Sequence, residues 1–167
     1  MPTPGDGSIR DATERYFRGE LRDALVFAVW GALNLAAAAL VLELLPSQRL
    51  LAIALATIGA LQFLPGLWAL RRHARRLTEA RGEIARAPDA FRAGESDRLR
   101  RLLEARRRLR IADAAFFAAF VAVVWFAPAG ERLVWLAVPG QMALLPLLNV
   151  AMERRARRFA EALGRNG

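Results

Sequence analysis

Residues 50–70 read LLAIALATIGALQFLPGLWAL, an uninterrupted apolar run with no charged side chain. A helix of this length, at roughly 1.5 Å per residue, spans the hydrocarbon core of a bilayer, which is about 30 Å thick. The run is apolar on every side, whereas a helix of a soluble bundle keeps one polar face. Residues 50–70 therefore predict a transmembrane helix, with lipid rather than water around it.

Three more runs without charge, at residues 24–42, 114–130 and 133–152, have the same character. The four runs predict an all-α, polytopic membrane protein with four transmembrane helices. Hydrophobic residues (55%) and charged residues (25%) are segregated along the chain, so we assign one membrane domain, residues 1–167. The predicted segments are an interfacial amphipathic helix at 8–22, spans at 23–45, 50–70, 111–130 and 132–152, a cytoplasmic helical hairpin at 71–110 and a basic cytoplasmic tail at 153–167.

The arginines predict the orientation of these spans. All 25 basic residues are arginine, and only Arg49 and Arg132 fall in the two short turns between spans. Arginine-rich segments stay on the cytoplasmic side, so both termini are predicted to be cytoplasmic in a multi-pass protein of the cell inner membrane. The absence of lysine has two explanations: recognition of phosphate or lipid headgroups, and the codon bias of a GC-rich genome. We favour codon bias, which also explains the many alanines and leucines.

The two halves of the chain resemble each other. Leu-Pro at 64–65 with the basic stretch 72–80 is similar to Leu-Pro at 145–146 with the stretch 154–162, and residues 17–20 are similar to residues 91–95. Both halves begin on the same side of the membrane, so they predict two parallel hairpin repeats. Chance similarity between arginine- and alanine-rich stretches is the competing explanation, and we favour duplication.

The two segments outside the predicted spans are amphipathic. In the N-terminal helix, Ile9, Tyr16 and Phe17 share one face, which is expected either to lie in the lipid headgroup layer or to pack against the cytoplasmic hairpin. The hairpin is expected to continue the second span as far as residue 86, to break at Pro88, and to resume in a second helix from about Ser96. Its two helices predict a short antiparallel coiled coil at the base of the membrane.

Small residues at four-residue spacing predict where the spans pack closely. A surface left over from this packing would favour a homo-oligomer or a place in a larger membrane complex. In the first span, two of the three positions are small, because the middle one is leucine. The helix-packing candidates are Gly31, Leu35 and Ala39 in the first span, Ala52, Ala56 and Ala60 in the second, and Ala114, Ala118 and Ala122 in the third.

Polar residues and helix breakers within the spans are the other candidates. The candidate pore-lining or interhelical residues are Asn34, Glu43, Gln62 and Gln141, and the candidate kinks or hinges are Pro65, Gly66, Pro139, Gly140 and Pro146. We expect the amides to hydrogen-bond between helices. Glu43 is expected at a pore mouth, at an ion site, beside Arg49, or reaching water at the interface. The breaks fit either gating, as in transporters, or ordinary proline kinks.

Arginines at headgroup depth are the candidates for contact with anionic lipid headgroups or with a partner. They are Arg75, Arg76, Arg106, Arg107, Arg108, Arg157 and Arg158. Plain positive-inside anchoring is the alternative role. Aromatic residues do not alternate with these arginines, so nucleic-acid binding is not predicted.

The residue inventory argues against catalysis. The chain has no cysteine and one histidine, and no motif for nucleophilic, metal-dependent or phosphate-binding chemistry is present, so no cofactor or metal is predicted. We predict a non-enzymatic, self-associating scaffold or accessory subunit that presents its basic hairpin to partners or anionic lipid. The alternative is an oligomeric ion or small-solute channel, because each half is similar in layout, though not in motif, to large-conductance mechanosensitive channel subunits.

Overall fold

The computed structural model of the protein describes residues 4–126 and 144–164, and its ordered elements are all helical. Helix α1 runs over Pro4–Leu44, α2 over Arg49–Arg86, α3 over Pro88–Phe126 and α4 over Leu144–Gly164. A single 3-10 turn at Pro46–Gln48 joins α1 to α2. The all-α class predicted from the hydrophobic pattern is thus confirmed.

Two of the helices are long and apolar enough to cross a membrane, over Ile9–Leu44 and Pro46–Arg86. Only 22% and 33% of their most apolar windows are buried, whereas the core helix of a soluble protein is mostly buried. Large apolar side chains such as Leu33, Leu50 and Leu61 point outward. We call residues 24–44 of α1 and 49–70 of α2 the stem. The predicted third and fourth spans extend into residues 127–143, outside the described residues, and stay predictions.

Small residues spaced seven apart hold the two stem helices together. They are Ala24, Gly31 and Ala38 on α1, and Ala52, Gly59 and Gly66 on α2, and all are buried. A Cβ atom on Gly59 would lie 2.9 Å from the backbone oxygen of Gly31, and one on Gly66 would lie 2.7 Å from the backbone nitrogen of Ala28. The helices therefore approach backbone to backbone, with the seven-residue period of a left-handed helix pair.

Only part of each predicted four-residue stripe on α1 and α2 lies in this contact. Of their members, only Gly31 and Ala52 are buried; Leu35, Ala56 and Ala60 are half-buried, and Ala39, Ala114, Ala118 and Ala122 are exposed. The physical reason is that two long helices at a small crossing angle meet every 3.5 residues on average, so a strict four-residue stripe drifts off the contact.

The structure describes three of the five predicted kink or hinge residues, Pro65, Gly66 and Pro146. Helix α2 continues through Pro65, and Gly66 serves close packing. Pro146 lies in the first turn of α4, where proline is tolerated, while Pro139 and Gly140 lie outside the described residues. Helix α3 begins at Pro88, so the prediction that it starts near Ser96 is wrong. Proline is favoured in the first turn of a helix, and Pro88 occupies that position in α3.

At the arginine-rich end, parts of all four helices form a second unit around a hydrophobic core. We call this unit, residues 9–23, 71–86, 88–106 and 152–164, the head. Its largest fully buried apolar side chains are Phe17, Ile9 and Leu99. The ring of Tyr16 stacks on that of Phe159, with centroids 4.6 Å apart.

This core covers the aromatic face of the N-terminal segment. We expected this face either to lie in the lipid headgroup layer or to pack against the cytoplasmic hairpin. In the structure it packs against the other helices of the head. The segment is also not a separate helix, because α1 runs without a break from Pro4 to Leu44.

A pair of glycine substitutions tests the stem contact. A Cβ atom at Gly31 would collide with the backbone of Phe63, whereas one at Gly94 meets nothing within 4 Å. Alanine is favoured over glycine within a helix by about 0.5–1 kcal/mol, and overpacking costs about 1–3 kcal/mol. We expect Gly94→Ala to raise the unfolding temperature in detergent, followed by circular dichroism, and Gly31→Ala to lower it. Equal effects would contradict backbone contact in the stem.

Candidate functional site

Two buried carboxylates mark the level at which the head meets the stem. Glu20 and Asp23 lie one turn apart on α1 and are 2% and 6% exposed. Oε2 of Glu20 lies 3.7 Å from Nε2 of His73 and 3.6 Å from Nη2 of Arg106. Arg155 donates to both carboxylate oxygens of Asp23, from Nη1 to Oδ2 at 2.9 Å and from Nη2 to Oδ1 at 3.3 Å. We call these five residues the junction cluster; they connect α1 to α2, α3 and α4.

Burial dominates the protonation of this cluster. It raises the pKa of Glu20, although Arg106 and Arg155 partly oppose that rise. It also lowers the pKa of His73, and the positive charge of neighbouring Arg72 lowers it further. Oε1 of Glu20 and Nη1 of Arg106 are buried without a hydrogen-bond partner among the described residues. The cluster thus holds an unused acceptor and an unused donor, which are costly in a protein interior.

A third buried carboxylate lies deeper in the head. Glu95 is 1% exposed and accepts hydrogen bonds from Nε of Arg98 at 2.9 Å and from Nη2 of Arg76 at 3.3 Å. Arg76 also donates through Nη1 to Glu83 at 2.8 Å, and the guanidinium of Arg98 lies 5.7 Å from the centre of the Phe17 ring. Arg76 is therefore held by carboxylates of the head, which makes it a structural residue.

A basic cavity of about 660 Å³ opens beside the junction cluster. Six arginines and two glutamates contribute to its wall: Arg71, Arg72, Arg75, Arg76, Arg98 and Arg106, with Glu20 and Glu79. Within the described part of the chain, Arg71 and Arg75 have no carboxylate partner, and Arg72 lies over the Trp68 ring at 5.1 Å. The cavity thus carries an excess of positive charge that no carboxylate of the described residues neutralises.

An apolar crevice of about 270 Å³ adjoins the basic cavity on the side of the stem. Its apolar walls include Ala24 and Phe27 of α1, Ala69 of α2 and Leu148 of α4. Glu20, Trp68, His73 and Met152 line both spaces. The two cavities therefore meet at the junction, with polar walls toward the head and apolar walls toward the stem.

Of the polar residues predicted within the spans, the structure brings two together. Nδ2 of Asn34 donates to Oε1 of Gln62 at 2.8 Å, and both side chains are buried between α1 and α2. Glu43 is exposed in the last turn of α1, and Gln141 lies outside the described residues.

The arginines predicted to contact headgroups divide into two groups. Arg76 and Arg106 form ion pairs inside the head, whereas Arg75, Arg108, Arg157 and Arg158 are exposed, and Arg107 lies in α3. Arg157 pairs with Glu153 of its own helix at 2.7 Å.

Sequence reasoning missed the buried acids Glu20, Asp23 and Glu95. Glu20 follows Tyr16 by four positions and Phe17 by three, so its place on the apolar face of α1 was a readable signal. Asp23 offered no such signal: it adjoins Arg22 in sequence, yet its partner is Arg155 on α4.

No protein-family model matches the chain, and comparisons with curated proteins and with solved structures also found no match. In residues 4–126 and 144–164, no group of three or more histidine, aspartate or glutamate side chains is placed to hold a metal ion. What the fold and the site define is an all-helical protein with two helices able to cross a membrane and a charged junction above them.

The Asp23–Arg155 pair should be important for stability. Its side chains are 7% and 19% exposed, so Asp23→Asn leaves a guanidinium almost buried without its counter-charge, and we expect a loss of about 3 kcal/mol in unfolding free energy. The control is Glu104→Gln, because Glu104 and Arg100 form an exposed pair at 3.7 Å. That change should cost less than about 0.5 kcal/mol. Equal losses in denaturant titrations would contradict the importance of the junction pair.

His73 should make stability depend on pH. In the unfolded chain it takes up a proton near pH 6.5, but burial lowers its pKa in the folded protein, where Glu20, Arg72, Arg98 and Arg106 surround it. The unfolded state therefore binds more protons as the pH falls below 6.5, and stability decreases. Glu20 has the opposite effect. Because its pKa is raised in the folded protein, the folded state binds more protons than the unfolded state, and stability decreases as the pH rises above about 4.5.

We expect His73→Gln to remove the contribution of His73 and keep that of Glu20. Relative to wild type, the variant should gain stability as the pH is lowered from about 7.5 to about 5. Unfolding midpoints across this range measure the difference. A difference that does not change with pH would show that His73 titrates alike in both states.

Proposed function

We propose that the chain is a non-enzymatic integral membrane protein of the inner membrane, a self-associating scaffold or accessory subunit whose basic head lies in the cytoplasm. The observation that carries this proposal is the change in surface character at the junction. Below it, Leu25, Val29 and Leu33 face outward on the stem. Above it, the head closes around its own core and exposes arginines.

The head has the properties of a binding module. It has a hydrophobic core of its own, separate from the stem contact, to which all four helices contribute side chains, including Phe17, Phe91, Leu99 and Phe159. Its exposed surface is strongly basic, with Arg100, Arg101 and Arg108 on α3 and Arg154 and Arg158 on α4 among the contributors. A basic surface of this kind suits acidic partners or the anionic inner leaflet.

The remaining parts of the topology belong to this proposal. We place the third and fourth spans at 111–130 and 132–152, with both termini cytoplasmic and the two halves as parallel hairpin repeats. The uneven distribution of arginines supports the orientation. Exposed apolar side chains on the stem supply the surface for lipid and for a second copy.

The side-chain amides of Asn34 and Gln62 in the stem favour the scaffold over the channel. Asn34 and Gln62 hydrogen-bond to each other in the α1–α2 contact, so neither is available to line a pore between copies. Glu43, at the outer end of α1, is the one candidate among the described residues whose exposed position would suit a pore mouth.

The topology can be tested sharply because the chain has no cysteine. Gly94→Cys places a single thiol on the exposed surface of the head, and Ser47→Cys places one in the outer turn. We expect a membrane-impermeant maleimide to label Ser47→Cys in intact spheroplasts and Gly94→Cys only after lysis. Labelling of Gly94→Cys in intact spheroplasts would overturn the orientation, and recovery of the protein in the soluble fraction would overturn membrane insertion.

The scaffold itself is tested by assembly. Light scattering of the detergent-purified protein should give a mass above that of one chain, and crosslinking in native membranes should capture a partner on the head. Arg101→Glu with Arg108→Glu, on one exposed face of α3, should reduce that capture, whereas Arg10→Glu with Arg15→Glu on α1 should not. A strict monomer that captures nothing would contradict the proposal.

A further inference from the structure

We propose that the basic cavity and the apolar crevice form one binding site for a single anionic phospholipid, with its phosphate among the arginines and an acyl chain in the crevice. This inference rests on the proposed membrane insertion, because it places the site at the level of the headgroups. It goes further in naming one ligand and one position for it.

The first support is unneutralised charge along the cavity wall. Arg71 and Arg75 line the cavity without a carboxylate partner among the described residues, and Arg72 lies over the Trp68 ring. A guanidinium offers paired donors that match the oxygens of a phosphate. Neighbouring Arg76 and Arg106 already have carboxylate partners, so Arg71, Arg72 and Arg75 are the ones free to take an anion.

The second support is unused hydrogen-bonding capacity in the wall. Nη1 of Arg106 has no hydrogen-bond partner among the described residues, although its side chain is only 11% exposed. Burial raises the pKa of Tyr16 to about 12, so its hydroxyl stays protonated and able to donate. Both side chains belong to the cavity wall. The oxygens of a phosphate group could accept hydrogen bonds from both of these donors.

The third support is the continuity between the two spaces. A soluble phosphate compound needs only the cavity, whereas a lipid needs an apolar path that leads from the cavity toward the membrane. The crevice supplies that path, since it shares Glu20, Trp68, His73 and Met152 with the cavity and continues between α1, α2 and α4. Basic pockets between membrane helices on the cytoplasmic side are known sites for anionic headgroups.

Quenching of Trp68 fluorescence tests the proposal in the full-length protein. The protein keeps Trp68 as its only tryptophan, with Trp30, Trp125 and Trp135 changed to phenylalanine, and is placed in phosphatidylcholine nanodiscs. In one sample a small fraction of the lipid is phosphatidylglycerol with brominated chains. In the reference sample that fraction is phosphatidylcholine with brominated chains. We expect saturable quenching by phosphatidylglycerol at about tenfold lower mole fraction than by phosphatidylcholine.

Two pairs of arginine variants separate a site from general surface attraction. Arg72→Gln with Arg75→Gln removes two cavity charges that take part in no ion pair, and should abolish the preference for phosphatidylglycerol. Arg10→Gln with Arg15→Gln removes the same charge from exposed positions outside the cavity, and should preserve it. Equal loss in both pairs would overturn the proposal, because it would show attraction to the surface as a whole.

Two further arms test the ligand itself. Ala69→Leu fills the crevice, and we expect it to weaken quenching by phosphatidylglycerol; unchanged quenching would overturn the placement of the acyl chain. Free glycerol 3-phosphate should not compete at the concentrations at which the lipid binds, and full competition would instead identify a soluble phosphate ligand. Failure of the protein to enter nanodiscs would count against membrane insertion, whereas an inserted protein without lipid preference would count against this site alone.

Discussion

The backbone contact between α1 and α2 is the constraint on which the rest of the structure depends. One antiparallel register runs from Asn34 beside Gln62, past Ala28 beside Gly66, to Glu20 beside His73. It ends in the head, where Arg81 reaches Glu14 at 3.1 Å. Small residues every seven positions allow this close approach, and a shift of one position would separate every polar pair along it. The stem thereby sets the geometry of the junction cluster.

The junction cluster lies where the apolar stem meets the charged head. Carboxylates beside an apolar stem would ordinarily be unfavourable, because burial disfavours their charged form. Here Asp23 has a bidentate guanidinium partner, while Glu20 remains only partly satisfied and has a raised pKa. The same cluster lies where the basic cavity and the apolar crevice join.

The arrangement also explains why the arginines of this chain serve different purposes. Arg76, Arg106 and Arg155 are bound to buried carboxylates and hold the head together. Arg71 and Arg75 have no such partner in the described part of the chain and face a space large enough for a headgroup. The side of the helix on which an arginine lies decides whether it is structural or available to a ligand. An arginine on the inner side meets the buried acids of α1 and α3.

The sequence by itself determined the helical class, the existence of the stem and the concentration of charge at one end. These follow from run length, all-round apolarity and charge segregation, which are local properties. It also indicated that Asn34 and Gln62 would bond between helices. Only the tertiary structure decided that Tyr16 stacks on Phe159 of α4, that Asp23 pairs with Arg155, 132 positions away, and that the small residues of the stem contact repeat every seven positions. Those features depend on how separate helices meet, and the pattern within one helix does not contain that information.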